Sequence, residues 1–290
     1  MLGGLFREDL RAAMALSGGD ADVTEVRMRI LRPVTVSRRG AVSQLKRADG
    51  GLYSATRGDI DFAVGAASGF SVYAVNDTLI KGYLHYEGGI RIGVTGDGVC
   101  DGSRLITVKA ISGLLIRVPH EIKGAASGFI DNVLKNGGIK NTLVLSPPGG
   151  GKTTMLRELA RCASLAGHNV LVIDERYELA ASVDGVSSMD LGENTDVISG
   201  VSKLAAYENT IRAMSPDLIV TDELFRREEC EAVGDIARSG VRVFASVHAD
   251  GLIELERSAV FKPLLSVFEC FVTLSKSPRP GTLKDVYVRR

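Results

Sequence analysis

Lys152, Thr153 and Thr154 directly follow Gly149, Gly150 and Gly151 in residues 141–167, NTLVLSPPGGGKTTMLRELARCASLAG. A lysine and hydroxyls behind a run without side chains suit one chemistry, the closing of backbone N–H groups around phosphate oxygens. Lys152 is expected to reach the β- and γ-phosphates of a bound nucleotide, ATP, and the Thr153 hydroxyl to take a place on Mg²⁺. The helix that starts there adds its partial positive charge. Ser146, Pro147, Pro148 and Thr154 complete the expected loop. The usual pattern opens with glycine where this chain has Ser146, so a distorted or weaker loop is expected, not a lost one. The bland alternative is a glycine-rich turn joining a strand to a helix.

A nucleotide site also needs carboxylates at strand ends, because in open α/β sheets the C-terminal ends of strands line the ligand crevice. Two sets qualify. Asp222 and Glu223 follow the apolar run LIVT, and Asp174 and Glu175 follow VLVI. Asp222 is assigned to Mg²⁺ and Glu223 to polarising the attacking water. Asp174 is read as an additional metal partner and Glu175 as an alternative base; equally, the pair is a solvated strand end held by Arg176. His248 closes FASVHAD and either contacts the γ-phosphate or is structural. His85, His120 and His168 lack ligand spacing and are read as surface residues.

Bulk composition narrows the class. The 290 residues are 45% hydrophobic and 24% charged, which is ordinary for globular chains. Formal net charge is zero, with no basic run, which argues against a dedicated nucleic-acid binder. No stretch approaches the roughly 20 apolar residues of a spanning helix, and the N-terminus reads as amphipathic, not as a signal peptide. Cys100, Cys162, Cys230 and Cys270 are scattered, so buried reduced thiols of a cytosolic protein are expected.

The elements that must position these residues form two domains, 1–122 and 123–290. The first is expected to be a small α+β unit: strands at 25–30 and 34–37, helices at 59–67 and 71–80, a hairpin over 83–95 turning at Glu87, Gly88 and Gly89, and strands at 105–108 and 114–118. A linker helix is expected over 124–134. The second domain alternates strand and helix. Strands are read at 142–145, 170–173, 218–221, 241–246 and 270–274, the last forming a hairpin with 283–288. Helices are read at 152–166, 203–214 and 226–238. Continuous apolar strands indicate an α/β fold, a mostly parallel sheet with helices on both faces.

The order of motifs resembles the secretion ATPases of type II and type IV systems. Their four boxes map here to residues 146–154 (Walker A), 174–178 (aspartate box), 212–223 (Walker B, preceded by R-x-x-x-P-D at Arg212) and Val247 with His248. EVRMRILRPV, the 83–95 hairpin, KAISGLLIRVPHEIKGAA, VIDERYELA and IRAMSPDLIVTDE together are similar to the stage III sporulation protein AA family over nearly the whole chain. This resemblance implies a RecA-like P-loop core, ATP and Mg²⁺ as cofactors, and a homo-oligomeric ring, with a hexamer as the candidate size. It further implies a cytoplasmic, mother-cell ATPase that works with integral membrane proteins of the stage III channel between mother cell and forespore. In ring ATPases basic residues from a neighbouring region neutralise the γ-phosphate, and Arg91 and Arg117 are the candidates; exposed arginines on a sheet face are the bland reading. The chain departs from the family pattern at Asn194, where an arginine precedes Thr-Asp-Val, at Tyr207 and Glu208, where a Gly-Met pair is usual, and at Phe225, where glycine is usual. Two other classes stay open: a nucleotide-binding scaffold with little turnover, and a RecA-like nucleic-acid motor.

Overall fold

The computed structural model describes residues 2–38, 40–70, 79–135, 138–183 and 185–289. Its contacts divide the chain into two compact units, Met1–His120 and Glu121–Arg290.

In the first unit the strands β1 (Val23–Arg29), β2 (Thr35–Arg38), β3 (Ala41–Gln44), β4 (Tyr83–Tyr86), β5 (Ile90–Asp101) and β6 (Arg104–Arg117) form an antiparallel sheet ordered β3-β2-β1-β6-β5-β4. Alternation decides which face is buried. Val26, Ile116, Ile92 and Leu84 are neighbours across four strands and all are fully buried. Helices α1 (Glu8–Leu16) and α2 (Arg57–Ala67) supply Leu10, Ala13 and Met14, and Ile60, Ala63 and Val64, to this core. A reciprocal capping box between Thr56 and Asp59 starts α2.

Two expectations need correction here. Residues 105–108 and 114–117 belong to the single strand β6, which ends one residue before the expected bound. Ala110 sits at φ 47° and the β5–β6 register shifts between Thr95 and Asp97, so the alternation is interrupted without the pairing ending. Cys100 is exposed, not buried; Cys162 is half-buried, and Cys230 and Cys270 are buried. The helix expected over 71–80 falls mostly on residues 71–78, outside the described residues.

The second unit is organised on β9 (Thr142–Leu145). The tiny hairpin of β7 (Leu134–Lys135) with β8 (Gly138–Ile139) precedes it. The other strands are β10 (Val170–Asp174), β11 (Thr195–Ser199), β12 (Leu218–Glu223), β13 (Arg242–Val247), β14 (Cys270–Ser275) and β15 (Thr282–Val288), ordered β11-β10-β12-β13-β9-β14-β15. All neighbours are parallel except the β14–β15 hairpin. In place of the linker helix over 124–134, turns lead to a single helical turn, α3 (Ile130–Val133). Gly124, at φ 81°, begins these turns, while Ala126 and Phe129 bury themselves against the sheet.

Side chains of β9 alternate between two cores. Val144 joins the layer under α4 (Lys152–Leu165), whose Met155, Leu156 and Leu159 are buried, whereas Leu143 and Leu145 join the opposite layer. That layer contains α5 (Lys203–Met214) and α6 (Arg227–Arg238) through Ala206, Cys230 and Val233. The short helices α7 (Leu252–Arg257) and α8 (Leu264–Val267) and the half-exposed edge strand β11 lack a strong sequence pattern and emerge only in the fold. Among the described residues no helix is long and apolar enough to cross a membrane.

Asn141 fixes where three strands begin. Its carbonyl accepts from Glu269 N and Cys270 N, its Nδ2 donates to the Val267 carbonyl, and its Oδ1 accepts from Val243 N at 2.9 Å. Asn141→Ala strands a buried N–H and a carbonyl at once. We expect a loss of about 3 kcal/mol in urea denaturation, and a loss within experimental error would show that the strand starts do not depend on it.

Candidate nucleotide site

The loop after β9 turns back on itself before α4. Gly150 N donates to the Pro147 carbonyl at 3.0 Å, and Gly149 and Gly151 hold φ of 70° and 94°, a region that favours glycine. Ser146 is fully buried, and its Oγ donates to the Pro147 carbonyl at 2.8 Å. A Cβ on Gly150 would stand 2.2 Å from that Oγ, so the serine at the loop's first position makes glycine at 150 obligatory. Pro148 and Gly149 are exposed at the rim, and Thr153 and Thr154 are half-buried in the first turn of α4.

Lys152 folds into the loop, 7% exposed, and donates to the Ser146 carbonyl at 3.2 Å. Its Nζ also lies 2.7 Å from His248 Nδ1, and His248 Nε2 lies 2.8 Å from Glu223 Oε1. An ammonium only donates, so Nδ1 is the acceptor and the Nε2–H points to Glu223. Lys152, His248 and Glu223 thus form one hydrogen-bonded line from the phosphate loop to the carboxylate. Burial pushes the Lys152 ammonium below its ordinary pKa; Glu223 opposes that shift and Lys276 adds to it.

The end of β12 aims two carboxylates differently. The β12–β13 register shifts between Val220 and Glu223, a bulge that leaves Asp222 buried and Glu223 half-exposed beside Ser246. Asp222 Oδ1 lies 3.2 Å from Lys203 Nζ and accepts no well-aligned hydrogen bond. The same ammonium donates to Glu175 Oε2 at 2.9 Å. Burial pushes the Asp222 carboxyl up to about 6, because desolvation and the nearby Asp174 and Glu178 outweigh the shared lysine. Burial alone would lower Lys203, but Asp222 and Glu175 hold it above its ordinary value.

Asp174 is fully buried and accepts from Glu178 N at 2.7 Å and Ala180 N at 2.8 Å. Its carboxylate shapes the loop after β10. Among the described residues neither Asp174 nor Glu175 pairs with Arg176. Arg91 and Arg117 face each other across β5 and β6 in the first unit. Arg91 stacks 4.1 Å from the Tyr83 ring centroid, and Arg117 is exposed. Arg212 is exposed on α5. Asn194 binds the end of α4, its N–H donating to Ser164 Oγ and its Nδ2 to the Ser164 carbonyl. Tyr207 is buried, and Phe225 lies beside Arg226 and Lys203.

Lys203 was not legible as a site residue, though one signal marks it. A lysine in the first turn of a helix opposes the helix dipole, and it needs carboxylates nearby to sit there buried. The residues present fit a divalent cation brought with a nucleotide: a buried Asp222 oxygen without an aligned donor, and the Thr153 hydroxyl at the start of α4. Among the described residues no three His, Cys, Asp or Glu side chains converge as a preformed metal cage.

A family model described as "Sporulation stage III, protein AA" matches residues 10–290. Stage III sporulation protein AA of Bacillus subtilis is 31% identical over 273 residues, covering 92% of this chain and 87% of that protein. The pilus retraction motor PilT, solved with ADP, superposes with a TM-score of 0.63 at 13% identity, covering 97% of this chain and 82% of that one. The ATPase DotB of Legionella pneumophila gives 0.56 at 13% identity, covering 90% and 74%. At such identities the two structures establish the fold, the RecA-like P-loop fold of secretion ATPases.

A carboxyl must be ionised to hold Mg²⁺, so Asp222 could serve such an ion only above its pKa. The Mg²⁺-dependent part of ATP affinity is expected to weaken as pH falls through about 6, measured by titration calorimetry with and without Mg²⁺. Asp222→Asn should flatten that difference. An identical pH profile in the variant would remove Asp222 from the metal.

Proposed function

The chain belongs to the sporulation stage III protein AA family, and we propose that its second unit binds Mg-ATP and hydrolyses it slowly. In this reading copies of the chain form a ring on the cytoplasmic side of a membrane, in the mother cell. Nucleotide-dependent closure and opening drive or gate the integral membrane proteins of the stage III complex. The observation that carries the proposal is the line Lys152–His248–Glu223, which links the phosphate-binding lysine to a carboxylate through one imidazole.

The roles follow from that line. Backbone N–H groups of Gly149, Gly150 and Gly151 and the Lys152 ammonium hold the β- and γ-phosphates. Thr153 and Asp222 hold Mg²⁺, which supplies charge neutralisation on the phosphate oxygens when bound. Glu223 takes a proton from the attacking water, whose oxygen bonds to the γ-phosphorus while the bond to the β–γ bridging oxygen breaks. His248 orients Glu223 and couples it to the state of Lys152. Glu175 is the competing base, but Lys203 holds its carboxylate. Arg91 and Arg117 are proposed as the cations a neighbouring copy presents to the γ-phosphate.

Two measurements test this. ATP hydrolysis per chain, followed against protein concentration, is expected to rise with assembly and to vanish in Lys152→Ala. ATP binding without any Lys152-dependent turnover would make the chain a nucleotide-gated scaffold instead. Glu223→Gln is expected to reduce the rate at least about a hundredfold with ATP binding retained, as for loss of general-base catalysis. Glu175→Gln should have a smaller effect, and the opposite ranking would move the base to Glu175.

A further inference from the structure

The turn joining β14 to β15 lies against the phosphate loop, and the pairing of β14 with β9 explains why. The strands are parallel, with Thr273 opposite Leu145. Both chains therefore leave the sheet at the same edge and at the same level. Shortly beyond, Lys276 follows one strand and Gly149 the other. The Lys276 side chain lies over Gly149, its Cε 3.9 Å from where a Cβ there would stand.

The turn is fastened in place. Gly281 N donates to the Gly150 carbonyl at 2.9 Å. A Cβ on Gly151 would fall 2.8 Å from Gly281 N, so the two backbones meet with no room for a side chain. Within the turn Ser277 N donates to Ser275 Oγ, and Thr282 Oγ1 donates to the Arg279 carbonyl. Lys276 is thus an exposed cation on a turn built against the phosphate loop.

Among the described residues no carboxylate pairs with Lys276, while Lys152 follows the same glycine turn at the start of α4. Both ammonium groups serve the same loop: Lys152 Nζ donates to the Ser146 carbonyl, and the Lys276 Cε lies over Gly149. Two cations brought to one loop repel each other unless an anion lies between them. An anion seated in the loop reverses the sign of that interaction.

We propose that Lys276 is a second phosphate-binding cation, closing over the rim of the loop at Gly149 and pairing with the oxygens of a nucleoside di- or triphosphate. The proposal rests on the nucleotide reading above and extends it to the C-terminal hairpin. It assigns that hairpin a part in binding the phosphate chain, where the sequence suggested only a terminal pair of strands.

The test compares ATP, ADP and AMP binding to the full chain by titration calorimetry, for wild type, Lys276→Met, Lys276→Arg and Lys152→Ala. Lys276→Met is expected to weaken ATP and ADP by about tenfold, the scale of one charge-assisted hydrogen bond. AMP should change little, and Lys276→Arg should retain most of the affinity, which a merely structural role would not predict. ATP binding in Lys276→Met within twofold of wild type, or tighter, while Lys152→Ala loses it, overturns the proposal alone. Binding that survives Lys152→Ala and Lys276→Met alike overturns the phosphate-loop reading, and this proposal with it.

Discussion

The parallel pairing of β9 between β13 and β14 is the constraint on which the rest of the second unit depends. It brings the phosphate loop, the His248 turn and the Lys276 turn out of the sheet at one edge. Asn141 sets the start of all three strands with its backbone and its side-chain amide. Because side chains alternate along a strand, a slip of one residue would exchange the two buried layers, and both are apolar and tightly filled. The register is therefore held by packing as well as by hydrogen bonds, and the positions of the loops are inherited from it.

Electrostatics then divides the crevice into two neighbourhoods. Around the loop, Lys152, His248 and Glu223 form a line whose ends carry opposite charge. Deeper in, Lys203 stands between Asp222 and Glu175, 1% exposed. A buried ammonium is tolerable there because two carboxylates face it, and removing Lys203 would leave the buried Asp222 without its cation. The two neighbourhoods share the end of β12, where the bulge turns Asp222 inward and Glu223 towards His248. A single irregularity in the ladder thereby separates two adjacent carboxylates into different environments.

The first unit is stabilised by different means. One face of its antiparallel sheet is covered by α1 and α2, and the other carries a cross-strand row of Glu25, Arg117, Arg91 and His85. This row is polar because it faces away from the core, and Tyr83 supplies the aromatic surface on which Arg91 stacks.

Much of the second unit was legible in its sequence for a simple reason. Strands buried on both faces read as continuous apolar runs, and 142–145 and the helix 203–214 have the observed bounds. The glycine loop, the DE pair at the end of β12 and His248 at the end of β13 are local patterns, and the fold brings Lys152, His248 and Glu223 together. The edge strand β11, with its polar TDVIS, and the short helices α7 and α8 owe their form to what they pack against. The 124–134 stretch has helical composition, yet it forms turns that bury Ala126 and Phe129 and keeps only one helical turn, Ile130–Val133. Lys203 meets Glu175 across 28 positions of chain, and Lys276 reaches Gly149 only because β14 pairs with β9. The sequence by itself determined most of the elements of the second unit and the glycine turn of the loop, since these depend on neighbours along the chain. Tertiary structure alone decided which charges meet, since that depends on register and burial between distant segments.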